Sequence, residues 1–526
     1  VSDQSAAQTY PHVPIGEMLR KIRADNSGRG QKRVVVLGAG VAGLVAGYEL
    51  QQLGHTVTVL EGSARTGGRI LTHHFKDGSY NELGAMRVPR SHDYTNHYID
   101  QMGLSPRLIP FVNAVDQNFL DIHGVICRAR DSRARVYPRF GLPETAPEPA
   151  GAYPQDPGGA IFGWVLANAI APLTPAEIDS LFKGEPDTDR LRALDSLALG
   201  AFLDAALPPA VKQLVGAYTS LAVWFDKAVT MFIRDTIVGT SNYLMTLSGG
   251  MSQLPERLQA RLAPGTVRLE HEVTRIALGG PATVTIGYRG PAGRETIEAD
   301  YVLCTLPFGV LRRTTLEGFS YGKMLAISQM AYAASTKVIL DCKTRFWQSK
   351  YGIYGGASIS DGIQRQTYYP MDHLTVERGA VATGALAGIH SRPAHSERVA
   401  PSAAANAEAP GALLGAYCWG SDAERLGLLT PNERADAVRR GVARFHPEIL
   451  DDNVVVDAAS IDWQTNRWSA GAFAFLLPGQ LGSIFLDGKK SEGRVYFAGE
   501  HCSTDQAWIQ GALIASLEAV DEIVSV

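Results

Sequence analysis

Three glycines constrain this chain more than any other feature. Residues 34–37 (VVVL) form a short apolar run, and Gly38, Gly40 and Gly43 follow at once as G-x-G-x-x-G. The periodicity then changes. Val41–Gln52, opening on Val41 and Ala42, reads as a helix with small residues on one face, and Thr56–Leu60 as a second buried strand. Strand, crossover helix and parallel strand make one βαβ unit. Gly38 makes the tight turn, Gly40 lets backbone N–H groups approach a pyrophosphate, and Gly43 permits close helix–strand packing. The helix N-terminus adds unpaired N–H groups and a partial positive charge. Glu61 ends the second strand, where a carboxylate can accept both ribose hydroxyls. The plain alternative is a glycine-rich turn without a ligand. Strand, glycines, helix, strand and acid in that order argue against it.

The chain has room for more than this unit. Its 526 residues suggest roughly two to four domains at about 100–200 residues each. Hydrophobic residues make up 45% and charged residues 19%, as in globular proteins and unlike disordered ones. A net charge of −4 with no long basic run leaves no electrostatic footprint for nucleic acid. Five cysteines without a C-x-x-C pair argue against a disulfide framework or a structural zinc site. The stretch 160–173 is too short to span a bilayer and carries Asn168, so no membrane partner is expected. The first ten residues lack a basic segment leading into an apolar core. A removed leader would look the same, so the cytoplasm is the default and secretion stays open.

Residues 1–32 read as a polar arm packed on the surface. Residues 160–235 carry helical patterns, 266–304 short alternating strands, and 331–347 and 411–419 further strands. Residues 387–410, rich in Ala, Pro and Ser, read as an exposed loop insertion. Residues 495–498 read as one more strand, with a final helix from about Ala507. Two pieces decide which dinucleotide is bound. Arg65-Thr66-Gly67-Gly68-Arg69 follows the acid, so a second backbone segment can cover the pyrophosphate and Arg69 can neutralise it. At the other end, residues 495–500 (VYFAGE) form a strand ending in Glu500. The helix starting near Trp508 would aim its positive end at a flavin carbonyl. Both pieces are similar to those of FAD-binding oxidases and reductases.

With seven such pieces in order, the chain resembles the flavin amine oxidase superfamily, and most of all its bacterial-type L-amino-acid oxidases. The pieces are VVVLGAGVAGLVAGYEL, EGSARTGGRI, ELGAMRVP, SGGMSQLPERL, DYVLCTLPFGVL, STKVILDCKTRFW and VYFAGEHCSTDQAWIQGA. The resemblance implies an α/β, α+β multidomain fold. A Rossmann-like FAD-binding domain is expected from 33–70, 240–325 and 489–526. A mixed-sheet substrate domain is expected from 5–25, 71–125 and 326–488, and a helical domain from 126–239. It also implies that Gly62, Gly84, Ala85, Met86, Arg87, Val273, Ala507, Trp508 and Ile509 lie along the FAD, beside the glycines, Glu61, Arg69 and Glu500. A homodimer is expected.

The resemblance implies roles at the substrate end. Arg87, in Gly84-Ala85-Met86-Arg87-Val88-Pro89, stands where L-amino-acid oxidases grip the α-carboxylate, and a guanidinium fork suits that task. A structural Arg87 paired with Glu82 or a carbonyl is the alternative. Tyr417 matches the second carboxylate contact, and Lys337 the lysine that holds a water against flavin N5. Trp508 and Phe473 match two aromatic walls facing the flavin. Ala472 stands where monoamine oxidases have the cysteine joined to FAD, so the FAD here is expected to be non-covalent.

Two departures bear on substrate choice. Ala507 replaces the usual glycine before the tail tryptophan, and Arg234 falls where venom-type enzymes have a histidine. Arg234 either lines the side-chain pocket or pairs with Asp235 or Asp226 on a helix surface. In the second case Trp508, Phe473 and Trp468 make an aromatic pocket, the outcome favoured here. The implied activity is oxidation of an L-amino acid by dioxygen, with hydride transfer from Cα to flavin N5, giving 2-oxo acid, ammonia and hydrogen peroxide. The rivals are oxidation of amines lacking a carboxylate, an amino-acid 2-monooxygenase, and an FAD-bound scaffold without activity.

Overall fold

A computed structural model describes residues 11–144, 157–239, 243–279, 283–372, 374–376, 399–401 and 406–526. Its first layer is a parallel sheet of five strands in the order Val267–Arg268, Thr56–Leu60, Arg33–Leu37, Tyr301–Cys304 and Val495–Phe497. The central strands are apolar and buried along nearly their whole length, as parallel strands covered on both faces must be. The helix Val41–Gln52 covers one face. Its small residues Ala42, Gly43, Ala46 and Gly47 are all buried; Gly43 and Gly47 face the strands, and the Ala42 carbonyl accepts the Ser516 hydroxyl of the terminal helix Ile509–Ser525 at 2.7 Å.

The second layer is a mixed sheet of seven strands in the order Val455–Asp462, Ser335–Cys342, Gly411–Trp419, Gln366–Tyr368, Ala357–Ser360, Phe119–Ile122 and Val125–Arg128. Ser335–Cys342 is buried at every position, Lys337 included. Lys337 stands opposite Tyr417 on the adjacent antiparallel strand, so their side chains leave on one face of the sheet. Residues 157–237 form helices, among them Pro175–Lys183, started by a Thr174–Glu177 capping box, and Val229–Ile237. Among the described residues no single helix is long and apolar enough to cross a membrane.

Two segments differ from expectation. The N-terminal arm forms the helix Ile15–Asn26, which packs on the terminal helix, with Lys21 paired to Asp521, and not on the seven-stranded sheet. Most of the insertion 387–410 lies outside the described residues. Within it, Val399–Pro401 is a strand antiparallel to Leu374–Val376.

Candidate active site

The dinucleotide end is built mostly from backbone. Gly38 takes a φ of +98°, and a Cβ there would lie 2.8 Å from the Thr305 hydroxyl. A Cβ on Gly43 would lie 2.0 Å from the Gly38 carbonyl oxygen, so helix and strand can meet this closely only at glycine. Gly40 differs. Its φ is −68°, and nothing lies within 4 Å of where its Cβ would be. Open space therefore adjoins the helix N-terminus, where a pyrophosphate is stabilised.

Glu61 accepts the Ala39 N–H at 2.8 Å on one oxygen and the Ser63 N–H at 2.9 Å on the other. Each oxygen keeps a lone pair for a ribose hydroxyl. The segment leading to the buried Val273 passes close by, with the His271 N–H on the Glu61 carbonyl at 2.8 Å. Gly67 donates to the Ala39 carbonyl at 2.9 Å, and the Arg65 guanidinium bonds the carbonyls of Thr66, Gly68 and Ile70. An open cradle, an acid with spare lone pairs and a helix N-terminus together fit FAD.

The substrate end is built from side chains of remote segments. The half-buried Arg87 guanidinium lies 5.3 Å from the ring centre of Phe111, 5.5 Å from Tyr368 and 6.0 Å from Tyr417. Its hydrogen bond goes to the Tyr368 hydroxyl, at 3.5 Å. Glu82, the alternative partner, faces elsewhere: its carboxylate accepts from the Thr72 hydroxyl and from the Met251 N–H at 2.7 Å. Among the described residues Arg87 has no carboxylate partner, and most of its five N–H donors stay uncommitted.

Lys337 sits directly behind. Its Nζ donates to the carbonyls of Gly84 at 2.7 Å and Glu82 at 3.2 Å, contacts Met86 Sδ at 3.3 Å, and lies 4.5 Å from the Tyr417 ring centre. Lys337 thus pins the backbone that presents Arg87. Burial lowers its pKa, and burial raises that of its neighbour Glu82. Gly84 has no room for a side chain, since a Cβ would lie 2.2 Å from the Arg69 carbonyl oxygen.

From Tyr417 a chain of rings runs into the helical region. Tyr417 meets Trp419 edge-on at 4.9 Å, Trp419 lies 5.9 Å from Trp224, and Trp224 stacks on Phe473 at 5.5 Å. Trp508 is held by a separate set of contacts. Its indole N–H donates to Asp235 at 3.3 Å, and its ring meets the buried His92 at 5.1 Å. Burial foremost, then the nearby Asp505, pushes the Asp235 carboxyl up to about 7. Burial also pushes His92 down to about 4. Between Val495 and Leu517 the only exposed residue is Ala507. It adopts a φ of +69°, held by its N–H on Glu500 at 3.1 Å, immediately before Trp508 and the buried Ile509.

Two expected placements differ in the structure. Trp468 lies at the dinucleotide end: a Cβ on Gly62 would come within 2.3 Å of its ring, so it forms no wall of the aromatic pocket. Trp224 and Trp419 hold that place. Arg234 is neither on a helix surface nor open to a substrate. It is 1% exposed, its Nε donates to the Thr504 carbonyl at 3.1 Å, and it lies among Asp195, Asp235 and Asp505. Arg69 pairs with Glu500 at 2.5 Å and bonds the Ala472 carbonyl at 3.3 Å, both through one Nη.

Phe111, Tyr368, Trp224, Trp419 and Asp235 were not among the expected site residues. Trp419 alone carried a local signal, its position two residues beyond Tyr417 in one strand, which shares a face with it. The others come from segments that only the tertiary fold brings near.

Comparison with known proteins agrees with this architecture. The family model of flavin containing amine oxidoreductases matches residues 41–524. The flavin-dependent L-tryptophan oxidase RebO of Lentzea aerocolonigenes is 35% identical over 94% of this chain and 98% of its own. The L-glutamate oxidase precursor of Streptomyces viridosporus is 28% identical, covering 94% of this chain and 85% of its own. The L-amino-acid oxidase of Daboia russelii is 27% identical, covering 94% and 89%. Among solved structures, a redesigned putrescine oxidase superposes with a TM-score of 0.69 at 16% identity, over 94% of this chain and 99% of that one. Cyclohexylamine oxidase from Brevibacterium oxydans IH-35A gives 0.68 at 18% identity, with the same coverage. At such identities the superpositions speak for the fold alone.

Proposed function

This chain belongs to the flavin containing amine oxidoreductases, and from that premise we propose that it oxidises L-amino acids to 2-oxo acids, ammonia and hydrogen peroxide. The observation that carries the reading is Arg87. A guanidinium set among Phe111, Tyr368 and Tyr417, without a carboxylate partner, needs an anion that can take its two-pronged fork. A substrate α-carboxylate supplies one, and an amine without a carboxylate does not.

Arg87 and Tyr417 bind and orient the substrate by its carboxylate. The rings of Trp419, Trp224 and Phe473 take its side chain and exclude water, and an aromatic side chain matches their faces. Trp508, held by Asp235, closes the pocket beside the exposed Ala507. Lys337 keeps residues 82–86 in place and puts a cation behind the reacting region. FAD, when bound, supplies the hydride acceptor for the Cα hydrogen and returns the electrons to dioxygen. The relatives named L-tryptophan oxidase, L-glutamate oxidase and L-amino-acid oxidase support the amino-acid reading, and the first supports the aromatic side chain.

A peroxide-coupled screen of the L- and D-amino acids together with their decarboxylated amines tests the proposal. Turnover confined to L-amino acids, strongest for Trp, Phe and Tyr, is expected. Turnover of the amines alone would overturn it, and an amide product would assign the chain to the 2-monooxygenases.

A further inference from the structure

Trp419 ends the strand Gly411–Trp419, two residues beyond Tyr417 and on the same face. Its ring meets that of Tyr417 at 4.9 Å and 75°. Its indole N–H is buried and completes no hydrogen bond, although it faces the Tyr417 hydroxyl closely enough to favour the phenolate against the opposing effect of burial. A buried donor left in this state is costly.

The two groups are not interchangeable. An indole N–H can only donate, whereas a phenol oxygen both donates and accepts. The only way for this pair to satisfy the indole is for the Tyr417 oxygen to accept from Trp419, which sends the Tyr417 proton away from Trp419. Arg87, whose guanidinium lies 6.0 Å from the Tyr417 ring centre, also only donates. We propose that Trp419 is a positioning residue: its indole N–H fixes Tyr417 as a hydrogen-bond donor and so restricts the clamp to carboxylates, against carboxamides. This rests on the reading that Arg87 and Tyr417 hold the substrate carboxylate. A carboxamide turns its NH₂ toward one of two donors and leaves that pairing unmade, a mismatch that rejects a ligand strongly when buried.

The test uses the flavin-loaded enzyme and two ligands of equal shape, phenylacetate and phenylacetamide, with binding followed by flavin absorbance. Trp419→Phe keeps a ring and removes the N–H. The ratio of phenylacetate to phenylacetamide affinity is expected to fall about tenfold, the size of one charge-assisted hydrogen bond. The KM for L-Phe should rise by a similar factor. Trp419→His keeps a ring N–H and should hold the ratio near wild type, which covers the case of a Phe variant that folds poorly. An unchanged ratio in Trp419→Phe, or an equal loss for both ligands, overturns the proposal. Tyr417→Phe separates the two levels. If it leaves phenylacetate binding intact, the carboxylate clamp itself fails; if it weakens that binding while Trp419→Phe does not, only the role of Trp419 falls.

Discussion

At the dinucleotide end the shape is made by missing side chains, and at the substrate end by large ones. Gly38, Gly43 and Gly84 each leave a gap that a methyl group would close against backbone or a short side chain. Arg87, Tyr417, Trp419, Trp224 and Phe473 fill their region from four separated stretches of chain. The first construction has no spare conformations, because backbone cannot be rotated aside. The second can be altered one side chain at a time. Substitutions should therefore act in an all-or-none way at one end and in graded steps at the other.

The largest effect is expected from Gly43→Val. Its Cβ would begin 2.0 Å from a carbonyl oxygen, an overlap well beyond the overpacking that costs about 1–3 kcal/mol. The purified protein should lack flavin and melt at a lower temperature; a yellow, normally stable variant would show that the cradle yields after all. Next comes Arg87→Ala. Removing one partner of a charged, desolvated pair should lower kcat/KM for L-amino acids by roughly 10²–10³, with flavin content unchanged. Equal losses on a decarboxylated amine would return Arg87 to a structural role.

The same contrast governs what could be read from the sequence. The glycine spacing needs only neighbours in the chain, so the turn at Gly38, the close packing at Gly43 and the helix Val41–Gln52 to its last residue were legible. Arg87, Tyr417 and Trp508 were legible only through motif resemblance. Trp468 and Arg234 were misplaced because aromatic character and charge say nothing about which cavity a side chain enters. A tryptophan over Gly62 and an arginine sunk among three aspartates depend on packing between segments hundreds of residues apart. Trp224 stayed invisible for the same reason, since its partners Trp419 and Phe473 belong to other segments.

Two smaller effects sharpen the comparison. Asp235, with its carboxyl pushed from 3.8 up to about 7, keeps its proton in the folded chain over a range where the unfolded chain releases it. Stability therefore falls as pH rises from about 4 to about 7. Asp235→Asn removes that slope and still offers an oxygen to the Trp508 N–H. Urea midpoints should show the variant gaining on wild type toward pH 7, and parallel profiles would mean the carboxyl titrates normally. The smallest change is expected from Ala507→Gly. Relief of a left-handed backbone is worth roughly 1–2 kcal/mol, and glycine's extra unfolded-state freedom offsets about 0.5–1. A net gain below about 1.5 kcal/mol, read as a rise of about one degree in Tm for a chain this long, is expected; a fall would mean that the methyl group is needed for packing.

The strand order of the parallel sheet also sets a timetable for the newborn chain. Arg33–Leu37 pairs with Tyr301–Cys304, which in turn waits for Val495–Phe497. The helix that seals the cradle comes later still, at Ile509–Ser525. At about 5–20 residues per second, the glycine loop emerges from the ribosome tens of seconds before the residues that complete its sheet. Through that interval Tyr301–Cys304 is an open edge, the kind of surface on which chains join each other. Final shape, and with it cofactor capture, waits until Val495–Phe497 and Ile509–Ser525 have both emerged. A chain cut before Val495 keeps its fingerprint but lacks the strand and helix that close around the ligand the fingerprint announces.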